Sequence, residues 1–239
     1  MLIHQDFVDE QLNLLNFDDE RRFSAQQLLR MHHETKVKKD PLVLEFGVNN
    51  GQSTKIFLNA IDDKKNSKLI SIDIENYDEV SSSKKWEFVQ QDSSDVDRLI
   101  KIKPEIKKGI DILYVDSLHT ADHVKKEIYG YFKFLNNNSL IFFDDIDSGP
   151  YMKNRRKDSA GTEINNRKIY KLLEAIFFSN MDKLDFEILR GSTGLAIFKK
   201  RAKIGEILNE PLYIPERNSK IYSFLIKKIF KYFGGHGKN

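Results

Sequence analysis

Acids stand at the ends of short apolar runs: Asp73 in KLISIDI, Asp92 in WEFVQQD, Asp116 in DILYVD and Asp144 with Asp145 in SLIFFDD. A carboxylate at such a place suits three kinds of chemistry. Asp73, with Glu75 just beyond it, is placed to take ribose hydroxyls. Asp92 is placed to accept a hydrogen bond from an exocyclic amine. Asp116, Asp144 and Asp145 raise a different expectation, because three carboxylates brought close together repel one another unless they are protonated or bound to a cation. A hard dication such as Mg2+ or Mn2+ takes oxygen ligands and resolves that conflict. Beside such an ion a hydroxyl, otherwise a poor nucleophile, loses its proton more readily. His119, three residues after Asp116, has the imidazole suited to removing that proton. His123 follows one helical turn later, while His32 and His33 are expected at the surface. The competing reading for each single acid is a solvated strand end, and for the cluster it is that Asp145 or Asp147 caps a loop and only two acids meet.

These residues need elements to carry them. LVLEF (42–46), KLISIDI (68–74), WEFVQQD (86–92), DILYVD (111–116) and SLIFFDD (139–145) read as strands, with helices over 52–62, 94–103, 120–135 and 163–179 between and after them. Strands apolar throughout, rather than alternating, imply a parallel sheet covered on both faces. DFEILRGSTGLAIFKK reads as a hairpin closing the sheet antiparallel. The expected fold is α/β and Rossmann-like, with a mostly parallel seven-stranded sheet and a C-terminal hairpin. Residues 1–40 read as an N-terminal helical extension, 41–200 as the core domain and 201–239 as a C-terminal extension. In LEFGVNNGQST, Gly47 and Gly51 sit at the turn from the first strand into the first helix, where backbone amides face a ligand. The spacing is not the G-x-G-x-x-G of a dinucleotide fingerprint, so a cofactor without phosphates fits better. A plain strand-turn-helix corner is the alternative.

The ordered series LEFGVNNGQST, ISIDIE, FVQQDSSD, ILYVDSLHT and LIFFDDID resembles class I S-adenosylmethionine-dependent methyltransferases. More narrowly it is similar to the O-methyltransferase branch with the macrocin-type and cephalosporin-hydroxylase-like enzymes, over about residues 41–200. The resemblance implies that Gly47 and Gly51 border the methionine moiety, Asp73 holds the ribose, and Asp92 or Ser93 meets the adenine. Glu45 and Ser53 count with them as cofactor-site candidates. It also implies a metal on Asp116, Asp144 and Asp145, with His119 and Asp116 catalytic. The first motif departs from the commoner pattern, having Asn49 and Asn50 where a third glycine is usual. The implied function is metal-assisted O-methylation of a hydroxyl on a sugar, surface polysaccharide or glycosylated natural product. Hydroxylase-type chemistry on the same fold and a non-catalytic cofactor-binding subunit are the rivals.

The remaining features bound this reading. The 239 residues carry 39 basic and 36 acidic side chains, a formal net charge of +3, so no global field points to nucleic acid. There is no cysteine, which excludes disulfides, thiolate metal sites and thiol nucleophiles. The N-terminal stretch lacks the basic start and apolar core of a secretory signal, and the cytoplasm is the expected compartment. Residues 146–163 form a long polar connection where an open sheet presents its ligand crevice, a placement that suits a lid; within it KNRRK (153–157) suits an anionic acceptor or plain solvation. In SKIYSFLIKKIFKYF (219–233) apolar and lysine faces separate, which fits an anionic inner-membrane surface, or docking on the domain or on a second subunit of a homo-oligomer.

Overall fold

The structure, a computed structural model, describes residues 5–152 and 160–214, with 225 and 228. The first strand-forming run becomes β1 (Leu42–Phe46), and the others follow as β2 (Lys68–Asp73), β3 (Trp86–Gln90), β4 (Ile110–Val115), β5 (Leu135–Phe143), β6 (Leu184–Leu189) and β7 (Leu195–Lys200). They form one seven-stranded sheet in the order β3-β2-β1-β4-β5-β7-β6. Pairing is parallel from β3 to β5 and antiparallel for β5 with β7 and β7 with β6. The sheet turns back on itself between β1 and β4, the place where an open α/β sheet leaves a crevice beyond its strand ends.

The helices are α1 (Gln5–Leu14), α2 (Glu20–Lys36), α3 (Gln52–Ile61), α4 (Val96–Ile102), α5 (Ala121–Tyr131), α6 (Gly149–Met152) and α7 (Ala160–Ser179). Alternate residues of each central strand enter opposite cores. Leu44, Phe46, Leu113, Val115, Ile141 and Phe143 pack with residues of α4, α5 and α7, while Val43, Ile112, Tyr114, Leu140 and Phe142 pack with residues of α2 and α3. Burial on both faces is why these strands lack alternation.

Boundaries differ at informative places. β5 begins at Leu135, four residues before the expected start, although LNNN is a poor strand sequence. Its register against β4 jumps, Ile110 facing Leu135 and Ile112 facing Leu140, and Asn138 takes a left-handed φ of 62°. An irregularity held by neighbouring strands absorbs the asparagines. His32, expected at the surface, is half buried on α2 and shares a 2.6 Å hydrogen bond with Asn59 of α3; burial lowers its pKa. KNRRK at 153–157 and the amphipathic stretch 219–233, Leu225 and Lys228 apart, lie outside the described residues. Among the described residues no helix is long and apolar enough to cross a membrane.

Candidate active site at the carboxyl edge of the sheet

The turn after β1 is shaped by its glycines. Gly47 has a φ of +88°, and a Cβ there would lie 2.1 Å from the carbonyl oxygen of Asp116. Only glycine lets the first loop cross the end of β4 this closely. Gly51, with a φ of +75°, caps α3, and a Cβ there would strike the Val80 side chain at 2.3 Å. The left-handed backbone and the Val80 side chain both require glycine here.

Across this edge runs a cleft of about 620 Å3, within the ~300–1,000 Å3 of small-molecule sites. Of the sequence-predicted residues, Gly47, Asp73, Asp92, Ser93, Asp116, His119, Asp144 and Asp145 line it, as does His123. Glu45, Gly51 and Ser53 do not. Glu45 is fully buried and accepts hydrogen bonds from Ser53 (2.6 Å), Thr54 (2.9 Å) and Ser71 (2.5 Å). Burial outweighs these hydroxyls and pushes its carboxyl up to about 7. Glu45 thus ties β1 to α3 and β2 from beneath, and Ser53 is spent on that tie.

On the β1–β3 side the acids have backbone partners. Asp73 accepts from the amides of Val48 (2.8 Å) and Glu75 (3.0 Å), so the carboxylate placed for a ribose also fixes the glycine loop. Asp92 accepts from the Ser94 amide and hydroxyl, both at 2.8 Å. Against the cost of partial burial, those bonds and the charges of His123 and Lys126 hold it below the usual carboxylate range. Ser93 turns inward and donates to Glu127 of α5 at 2.5 Å. Ser117 donates to the same Glu127 oxygen at 2.6 Å, so this buried acid joins the loops after β3 and β4.

On the β4–β5 side the acids face one another. The Tyr114 hydroxyl stands 3.0 Å from Asp116 Oδ2 and 3.1 Å from Asp144 Oδ2. A single proton serves two carboxylates. Thr193, from the turn before β7, donates to Asp144 Oδ1 at 2.7 Å, and the Asp145 amide reaches the same oxygen at 2.7 Å. Burial first, and then the neighbouring carboxylates, raise Asp116 well above the ordinary carboxylate range and raise Asp144 in the same direction. The Asp116 side chain remains 29% exposed to the cleft, where solvent damps this repulsion.

The third acid is turned elsewhere. Asp145 adopts a left-handed φ of 56°, and its carboxylate lies 2.6 Å from His119 Nδ1, while His119 Nε2 is 3.8 Å from Asp116. The bond to Asp145 raises the pKa of His119. A non-glycine residue in this conformation is uncommon, and here it aims an acid at the candidate base. Asp116 and Asp144 thus share Tyr114, while Asp145, which lines the same cleft and adds its charge to both, bonds to His119. Among the described residues no three His, Asp or Glu side chains stand as a ready metal cage. The donor chemistry, oxygen ligands crowded with negative charge, still fits a hard dication held by Asp116 and Asp144.

Several site residues escaped the sequence reading. Tyr114 and Thr193 were masked, the first by its apolar run and the second by its turn. Glu127 carried a signal only as an acid on a buried helical face. Ile74 and Leu118 are 72% and 58% exposed and line the cleft after β2 and β4. Large apolar side chains left open on a cleft wall suit the faces of a purine ring.

Residues 44–146 match a sequence model described as a methyltransferase domain. No curated protein sequence matches the chain. Among solved structures, the MycE methyltransferase of the mycinamycin biosynthetic pathway, in complex with Mg, SAH and mycinamycin VI, is similar at TM-score 0.56 and 18% identity, over 86% of this chain and 56% of that one. The chain thus spans little more than half of that protein's length. The SAH-bound Podospora anserina methyltransferase PaMTH1 aligns at TM-score 0.57 and 13% identity, over 84% of this chain and 88% of its own. CalS11, a TDP-rhamnose 3'-O-methyltransferase of calicheamicin biosynthesis, aligns at 0.51 and 17%, over 81% and 93%. The matched segment runs from β1 to just past β5 and so takes in the loops that build the cleft, and the solved neighbours share the fold.

Proposed function

We propose that the protein is a divalent-metal-assisted O-methyltransferase acting on a hydroxyl of a sugar, surface polysaccharide or glycosylated natural product. The observation that carries this reading is the Asp116–Tyr114–Asp144 arrangement, two partly buried carboxylates sharing one phenolic proton. Such acids are costly to stability, and a cation offsets the cost. CalS11 is described as a TDP-rhamnose 3'-O-methyltransferase, and MycE is described in complex with Mg and mycinamycin VI, which supports a sugar acceptor and a metal.

In this reading Gly47 lets the cofactor approach the loop, Asp73 accepts from the ribose, and Ile74 and Leu118 enclose the purine. Mg2+ or Mn2+ held by Asp116 and Asp144 would stabilise charge developing on the acceptor oxygen. Transfer breaks the carbon–sulfur bond of the sulfonium and forms a carbon–oxygen bond, and the hydroxyl proton goes to His119. Asp145 orients that imidazole through Nδ1, leaving Nε2 toward the cleft and Asp116. The remaining contribution is alignment of donor and acceptor.

The test is calorimetry of the full chain with S-adenosylhomocysteine and with Mg2+, followed by mass spectrometry of glycosides incubated with S-adenosylmethionine. Uptake of both, and a product heavier by one methylene unit, is expected. A product heavier by one oxygen, or no Mg2+ uptake, would overturn the reading.

A further inference from the structure

The segment after β7 is held to the domain through its backbone and shows its side chains to solvent. Lys183 Nζ donates to the Ile207 carbonyl at 2.8 Å, the Tyr129 hydroxyl to the Asn209 carbonyl at 2.6 Å, and the Leu212 amide to the Ala175 carbonyl at 2.9 Å. Asn209 is tied besides to Ser179 and Asn180 at the end of α7. Of the large aliphatic residues here, Leu208 alone joins the core. Ile207, Leu212, Tyr213 and Ile214 are each more than half exposed, and so is Met181, which follows Asn180. Apolar side chains of this size, fixed in place yet left bare, mark a surface that something else covers.

The residues that follow identify what covers it. At about 100° per residue, Ile221, Leu225, Ile226, Ile229 and Phe230 fall on one half of a helical projection, and Lys220, Lys227, Lys228 and Lys231 fall on the other. Leu225, which belongs to that apolar half and to the described residues, is itself more than half exposed. Residues 219–239 hold five lysines and no acid, whereas the 218 residues before them carry 34 basic and 36 acidic side chains. An anionic surface therefore attracts this segment and not the rest of the chain. Of the two acids in 203–214, Glu210 is paired with Lys125 at 2.8 Å and Glu206 is turned back onto the Lys203 amide at 2.9 Å. A second copy of the chain would set the lysines against one another, and a nucleic acid would take the lysines but leave the apolar side chains bare.

We propose that residues 204–214, together with the lysine-rich sequence after them, dock on an anionic lipid bilayer. The bare apolar side chains enter the headgroup boundary and the lysines meet lipid phosphates. Met181 precedes the start of β6, which pairs with the end of β7, so this surface lies toward the sheet edge opposite the cleft. Docking leaves the cleft uncovered, and the inference stands without the O-methyltransferase reading.

The test is co-sedimentation of the full chain with vesicles of phosphatidylcholine alone and of phosphatidylcholine mixed with phosphatidylglycerol. Binding to the mixed vesicles is expected to be about tenfold stronger or more, and to fall steeply as salt is raised. Lys227→Gln with Lys231→Gln is expected to weaken it about tenfold. Leu212→Ser with Ile214→Ser is expected to do the same by about tenfold, with an unchanged melting temperature because both side chains are already exposed. Equal binding to neutral and mixed vesicles, binding to neither, or variants without effect would overturn the proposal. A dimer in sedimentation velocity that the Leu212→Ser, Ile214→Ser variant dissolves, without vesicle binding, would assign the surface to a second copy and overturn it equally.

Discussion

The two halves of the carboxyl edge treat their acids in opposite ways. On the β1–β3 side, Asp73 is met by amides of its own loop and of the glycine loop after β1, and Asp92 by an amide and a hydroxyl of its own loop. On the β4–β5 side, Asp116 and Asp144 divide one phenolic proton, and burial with the charge of neighbouring carboxylates, Asp145 on Asp144 and Asp144 with Asp145 on Asp116, raises both. A capped acid stabilises its loop whether or not a ligand is present. A pair short of protons destabilises the free protein and becomes favourable only when something positive arrives. Structure is therefore concentrated on the first side, and the proposed function places reactivity on the second.

Breaking this contrast starts with Asp116→Asn. Turnover, as kcat/KM on a methylatable glycoside, is expected to fall roughly a thousandfold, on the order of 4 kcal/mol. In the same variant the metal-free protein is expected to melt a few degrees higher, because the repulsion is gone. Calorimetric Mg2+ uptake is expected to disappear. A variant that loses activity and stability together would mean that Asp116 is an ordinary structural acid.

Glu45 sharpens the contrast, since it is buried like neither group. Its carboxyl sits at about 7 in the folded protein against an ordinary 4.5, so between these values the folded state holds more protons than the unfolded one. The stability it contributes is complete below about 4.5 and is lost as pH rises through 7. Urea unfolding at pH 5 and pH 8 is expected to show Glu45→Gln reducing the wild-type loss by about 2–3 kcal/mol. An unchanged pH slope would refute the buried, proton-holding role.

Asp73→Asn is next in size. It removes the charge that holds the Val48 amide and is placed for a ribose. S-adenosylhomocysteine affinity should weaken roughly thirtyfold, about 2 kcal/mol for a charged hydrogen bond, measured by calorimetry. Asp92→Asn is expected to cost less, about fivefold, since its bonds to Ser94 stay within one turn. If Asp92→Asn abolished turnover as fully as Asp116→Asn, the division between capped and frustrated acids would be wrong.

His32 supplies the smallest effect. Burial lowers its pKa, so the unfolded chain binds the proton more readily. Stability from this group is present above about 6.5 and lost as pH falls through the lower folded value. His32→Gln, which keeps a partner for Asn59, is expected to blunt that acid-side loss by less than about 1 kcal/mol in thermal melts from pH 5 to 7.

Much of this was present in the chain itself. Apolar runs such as DILYVD and SLIFFDD dictated a buried parallel sheet because both faces of each strand must leave water, and the acids closing those runs had nowhere to go but its edge. The turn residues of GSTG announced the hairpin. Local pattern could not say where each carboxylate would point. The backbone at Asp145 turns left-handed and delivers its acid to His119, a choice made by packing around it. Tyr114 looked like one more core residue until β5 brought Asp144 within reach of its hydroxyl. Glu45 of β1 and Ser53 of α3, both expected at the cofactor site, bond to each other beneath the loop, a pairing that only the packing of α3 on β1 creates. The contact of α2 with the turn before β7 joins residues more than 160 positions apart, Ser24 with Ser192 and Gln27 with Gly191. Periodicity is a local property and survives in one dimension, whereas direction, proton sharing and the meeting of distant walls exist only once the chain has closed on itself.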